Sequence, residues 1–215
     1  MTSRLDYERD GASIYERSFA SIRSELGPQL SELGDLEAVA VRMVHAAGDT
    51  SIVGDLEAGA GLVAAARAAL RRACPIYCDS EMVARGITRR RLPAGNDVRC
   101  TLHAPGVAGR AASAATTRSA AAVEDWLPEL DGAVAVIGNA PTALFRLLEL
   151  VLDGVARPAA IVGVPVGFVG AVESKRALTD LHHGIPYLTL HGRRGGSAIA
   201  AAAVNALATE EEILR

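Results

Sequence analysis

Apolar positions recur at helical spacing through the first third of the chain. Residues 10–26 place Ile14, Tyr15, Phe19, Ile22 and Leu26 on one helical face. After Asp35, an N-cap candidate, Leu36, Val39, Ala40, Met43, Val44 and Ala47 form a second stripe that Gly48 is placed to end. Residues 56–73 carry a third stripe with Leu62, Val63, Ala66 and Leu70. From Pro75 the period changes. Short β-like runs bounded by turn residues cover 75–78, 98–103, 133–137, 159–164 and 187–190, and helical patterns over 117–130, 141–153, 170–181 and 196–213 alternate with the later ones. A run such as 133–137 is apolar at every position, as in a strand covered on both faces. The pattern predicts one domain over 1–215. Its class is α/β, a three-layer α/β/α sandwich with a mostly parallel sheet of about five strands, preceded by an N-terminal helical segment.

Composition narrows the function classes. Of the 215 residues, 50% are hydrophobic and 22% charged, so the chain folds and has enough length for a sizeable core. Aromatic residues are only 4%, which leaves alanine, valine and leucine to build that core. The net charge of −3 argues against a generic basic nucleic-acid binder. Nearly all positive charge is arginine, and Lys175 is the only lysine. Cys74, Cys78 and Cys100 have no metal-ligand spacing and read as small buried thiols. No apolar run approaches the ~20 residues of a membrane span, and the polar, acidic start lacks an apolar signal region. The expectation is a cytoplasmic protein with no membrane or nucleic-acid partner and no metal site of its own.

Open α/β sheets bind ligands beyond the carboxyl ends of their strands. The segments in that position are Asp79-Ser80, Gly138-Asn139-Ala140-Pro141, Pro165 to Phe168 and Gly192 to Ser197, with Thr116-Thr117-Arg118-Ser119 at another helix start. Glycine ahead of a helix lets a ligand approach the backbone, helix N-termini offer free N–H groups, and arginines add charge. The candidates for ligand contact are therefore Ser80, Thr117, Arg118, Asn139, Arg193, Gly195 and Ser197. Taken singly, each such turn also suits mere capping, and each arginine suits a solvated surface. Gly192 to Ser197 matches neither a P-loop nor a dinucleotide fingerprint. Several anion-friendly turns on one edge fit a ligand with many carboxylates better than one with a single phosphate. His45 falls almost opposite the core stripe of its helix, beside Ala38 and Val41. It suits a second apolar surface such as a ligand pocket, or else an exposed or interface position.

In order along the chain stand Tyr7-x-x-Asp10-Gly11-x-x-Ile14-Tyr15-Glu16-Arg17-Ser18-Phe19, Val41 to Ala46, Cys78-Asp79 with Met82-Val83, and Leu92 to Asn96. Thr117 to Ala120, Ile137 to Phe145, Pro165 to Gly170, Glu173-Ser174-Lys175 and Gly192 to Ala198 complete the series. This ordered series resembles the precorrin-8X methylmutase family of cobalamin biosynthesis, from about Tyr7 to about Leu207. The resemblance implies an isomerase that moves a methyl group from carbon 11 to carbon 12 of a corrin-ring precursor. The substrate is precorrin-8X, giving hydrogenobyrinate, or cobalt-precorrin-8. It implies a homodimer with sites near the subunit interface, and no cofactor, since any cobalt arrives with the substrate. A later pathway enzyme is a possible recipient of the product. The family's catalytic histidine falls on His45, and Ser18 and Arg118 match substrate-site positions. Thr116 and Ala47 stand where asparagine and cysteine are expected, and Arg194 fills a variable position.

A methyl shift within one conjugated ring needs neither redox cofactor nor nucleophile, and a group titrating near neutrality suits its proton steps. Two other readings stand beside it. A corrinoid carrier of the same fold would bind without turnover. An unrelated α/β enzyme would use Gly192 to Ser197 for a phosphorylated substrate, which leaves His45 without a role.

Overall fold

The computed structural model describes residues 5–213. Helix α1 (Gly11–Leu26) starts where Asp10 accepts a bond from the Ser13 amide at 2.8 Å. A short helix α2 (Pro28–Ser31) leads to α3 (Glu37–Ala47), which Gly48 ends in the left-handed conformation, its amide on Val44 O. Asp35 is not the N-cap of α3. It lies in a 3-10 turn (Gly34–Leu36) that runs straight into the helix, so no extended residue is left for a side chain to cap.

The sheet has six strands, one more than the pattern predicts, in the order β1-β6-β5-β4-β2-β3. They are β1 (Leu56–Ala58), β2 (Ile76–Cys78), β3 (Val98–Cys100), β4 (Val134–Ile137), β5 (Ala160–Gly163) and β6 (Tyr187–Leu190). All pairings are parallel except β1 against β6, where Leu56 faces Leu190 and Ala58 faces Leu188. The expected helix over 56–73 thus splits. A 3-10 turn (Thr50–Asp55) and β1 precede α4 (Leu62–Arg71). Gly59, just past β1, lets the chain pass close to Tyr187, since a Cβ there would stand 2.9 Å from the Tyr187 ring.

Helices α5 (Glu81–Gly86), α6 (Val107–Ser113), α7 (Arg118–Val123), α8 (Pro141–Leu152), α9 (Ala171–Asp180) and α10 (Ser197–Ala208) complete the layers. The helical pattern over 117–130 becomes α7 plus a 3-10 stretch (Glu124–Glu129) that contains Pro128, a residue unable to donate within an α-helix. The pattern over 196–213 stops at Ala208. Beyond it the chain lies along arginines, with Arg67 on Glu210 at 3.0 Å and the Arg91 guanidinium on the carbonyls of Glu211 and Glu212.

Alternation along the strands divides the core. Ile76, Cys78, Val134, Val136, Ala160 and Val162 face α1, α3, α4, α5 and α10, whereas Tyr77, Ala135, Ile137 and Ile161 face α8, α9 and Trp126. Small residues let the layers close. A Cβ on Gly86 would meet Ala201 at 2.7 Å, and one on Gly138 would meet Ala200 at 2.7 Å. No helix of the described residues is long and apolar enough to cross a membrane.

Candidate functional site

The parallel strands end along one edge, and the helix-entry turns beyond them gather there. Asp79, just past β2, is buried and organises the turn after β4. Its carboxylate accepts the amides of Gly138 at 3.0 Å, Asn139 at 2.9 Å and Ala140 at 2.6 Å. Burial pushes the Asp79 carboxyl up, and the three amides pull against that. Ser80 is also buried. It caps α5 by accepting from the Val83 amide at 3.3 Å, and its Oγ lies 3.3 Å from Ser197 Oγ at the start of α10. Asn139, half-buried, follows β4. Thr117 caps α7 and its Oγ1 is 2.7 Å from Thr142 Oγ1 on α8, so α7 and α8 begin side by side, with Arg118 exposed beside them.

The loop after β6 is gripped from two sides. Arg194 reaches across to the segment between α3 and β1, bonding Asp49 at 2.8 Å, Ser51 Oγ at 2.6 Å and the Asp55 carboxylate. From beneath, the fully buried Lys175 donates to the carbonyls of Gly192, at 3.1 Å, and Arg194. Gly195 has φ +154, and a Cβ on it would stand 2.3 Å from the Val164 carbonyl oxygen, so only glycine fits. The loop walls a cavity of ≈ 620 Å³ together with Ala46, Ala47 and Asp49 from the end of α3, Val166 to Phe168 after β5, and Ser197. Phe168 is 86% exposed at its rim, with the Arg193 guanidinium 4.9 Å above its ring.

His45 lies on the other flank of the α3 terminus. It lines a depression with Ser18, Ser21, Glu25 and Asp49, and Asp49 borders the loop cavity as well. The Ser18 hydroxyl is 2.7 Å from His45 Nδ1, and the rings of Tyr15 and Phe19 stand 5.0 and 5.2 Å from the imidazole. The second apolar surface expected beside His45 is therefore helix α1, and the half-buried imidazole sits at its edge. Burial, then the Arg42 guanidinium, holds its pKa below the ordinary histidine value. The Ser18 hydroxyl thus occupies Nδ1, and the ring's tautomer sets which of the two atoms donates.

The precorrin-8X methylmutase family profile matches residues 13–210. The chain belongs to the precorrin-8X methylmutase family. It is 54% identical over 209 residues to the precorrin-8X methylmutase of Pseudomonas aeruginosa, covering 97% of this chain and 100% of that protein. Against the Sinorhizobium protein of that name identity is 55% over 204 residues, covering 94% and 96%. The crystal structure of the Thermus thermophilus precorrin-8X methylmutase superposes with a TM-score of 0.81 at 38% identity, covering 92% of this chain and 95% of that one.

In this methylmutase fold the candidate residues fall into separate groups rather than one cluster. Ser18 and His45 line one depression, Arg193, Gly195 and Ser197 line the loop cavity, and Thr117 pairs with Thr142, while Asn139 follows β4 and Arg118 is exposed at the start of α7. Ser80 meets Ser197 of the loop group. The sequence reading passed over Arg42, Asp49, the packing of Tyr15 and Phe19 on His45, and the buried bonds of Lys175. Arg42 precedes His45 by three residues, a helical neighbour spacing that was the available signal.

Proposed function

We propose that the chain isomerises precorrin-8X to hydrogenobyrinate by moving the methyl group from carbon 11 to carbon 12, with His45 as proton donor and acceptor. The C11–methyl bond breaks as the C12–methyl bond forms, and no atom or electron leaves the molecule. A proton given by the imidazolium draws density from the conjugated ring and returns to the same nitrogen. The observation that carries the reading is His45 itself: a half-buried imidazole, its Nδ1 engaged by Ser18, in a depression that shares Asp49 with the loop cavity. Its pKa, held down in part by Arg42, rises when ligand carboxylates offset that charge, so binding favours the acid form. Acid–base help accounts for roughly 10²–10⁴-fold, and holding the ring in a reactive shape supplies the rest.

The reading assigns substrate contact to Ser18, Thr117, Arg118, Asn139, Arg193, Gly195 and Ser197, with Ser80 holding Ser197. The apolar ring faces Ala47, Val166 and Phe168, which line the loop cavity. The chain acts as one domain in a cytoplasmic homodimer; the exposed Phe168 and Val169 offer apolar surface at the cavity rim for a partner or for ligand. The test is an absorption titration with metal-free and cobalt-containing precorrin-8. Conversion to the product spectrum supports the isomerase. Tight binding without conversion makes the protein a carrier, and no spectral change with either ligand refutes both.

A further inference from the structure

Lys175 has no role in the chemistry above, yet it is the only lysine of the chain and is fully buried on α9. Burying an ammonium is costly, and among the described residues no carboxylate bonds to this one. Asp55 is the charged group that acts on it, through space, and Asp55 is itself bonded to Arg194. Helix α8 and strand β6, which pack on α9, bring no charge to it. His191, just ahead of the loop, is bonded to Glu57. Both bonds of Lys175 go to main-chain carbonyls of the loop after β6, Gly192 and Arg194.

The direction of those carbonyls fixes their neighbours. In a trans peptide the C=O and the following N–H point in opposite directions. With the carbonyls of Gly192 and Arg194 turned inward onto the ammonium, the amides of Arg193 and Gly195 turn outward. Among the described residues these two amides donate to no protein acceptor. Both residues line the ≈ 620 Å³ cavity.

We propose that Lys175 is a positioning residue, whose buried ammonium sets the Gly192-to-Gly196 loop so that the Arg193 and Gly195 amides meet a peripheral carboxylate of the ligand. The proposal rests on the carboxylate-rich ligand of the previous subsection and deepens that same site. The ammonium also places positive charge beneath the two peptide dipoles. Its pKa is pushed down to about 8 by burial, so the charge is present at neutral pH and is lost in mildly alkaline solution.

The test uses the full chain with Lys175→Met and Lys175→Arg, and hydrogenobyrinate as the probe. In Lys175→Met, the Kd for hydrogenobyrinate and the KM for precorrin-8X should rise about ten- to hundredfold, the scale of a lost charge-assisted bond, while kcat stays within about threefold. Lys175→Arg should recover most of the affinity. In the free wild-type protein, the amide resonances of Arg193 and Gly195 should shift with a midpoint near 8, and Lys175→Arg should lack that midpoint. Wild-type affinity in Lys175→Met, or resonances that do not move in the wild type, overturns the proposal. If Lys175→Met fails to fold, the wild-type titration decides alone. If wild type does not bind hydrogenobyrinate, the ligand reading fails, and the free-protein titration still tests Lys175.

Discussion

Replacing His45 with alanine tests chemistry and packing together. The sequence pattern, with His45 opposite the core stripe of α3, predicts no structural cost. The structure revises that. The imidazole contacts the Tyr15 and Phe19 rings and the Ser18 hydroxyl. Each ring contact is worth about 0.5–1.5 kcal/mol and the hydrogen bond about 1 kcal/mol. Half-exposure places the sum near the low end, about 2 kcal/mol, which lowers Tm by roughly 4–8 °C for a chain of this size. Turnover of precorrin-8X, followed by absorbance, should fall at least about 10²-fold. Product binding should persist, because the proposed carboxylate contacts lie on other residues. His45→Gln keeps part of the packing and separates the effects: it should recover much of the Tm and none of the turnover. Wild-type turnover in His45→Ala would refute the acid–base assignment. An unchanged Tm would refute the packing of α1 on the imidazole.

Three further outcomes follow from the same geometry. Arg42→Gln removes a positive charge that, after burial, depresses the His45 pKa, so the imidazole should titrate at higher pH by NMR; kcat/KM, which on the proposed mechanism needs the protonated ring, should then fall at higher pH than in the wild type, and an unmoved titration refutes the coupling. Gly195→Ala puts a Cβ 2.3 Å from the Val164 carbonyl oxygen, so the loop must shift; hydrogenobyrinate binding should weaken at least about tenfold, and an unchanged Kd would remove the loop from the site. Asp79→Asn turns an NH₂ toward amide donors that now face a carboxylate; it should cost about 2–3 kcal/mol in urea unfolding, and an unchanged midpoint would refute the role of Asp79 in holding the β4–α8 turn.

The sequence by itself determined the class of the fold, because continuous apolar runs such as 133–137 fit strands covered on both faces, and the helical stripes between them supply the covers. It determined which turns lie beyond the strands, since glycine and hydroxyl residues at helix entries have local conformational reasons to be there. It marked His45 as a residue outside its helix's main stripe. Tertiary structure alone decided what long-range pairing sets. Strand β1 is three residues long and becomes a strand only by pairing with β6, far along the chain, so its local pattern reads as helix. The surface beside His45 turned out to be α1, because a helical wheel gives a direction and not the neighbour found there. The inward turn of the Gly192 and Arg194 carbonyls is fixed by a lysine on another helix. A side chain's type constrains the bonds it can form, but which backbone groups receive them depends on how separate elements pack, and only the folded chain holds that information.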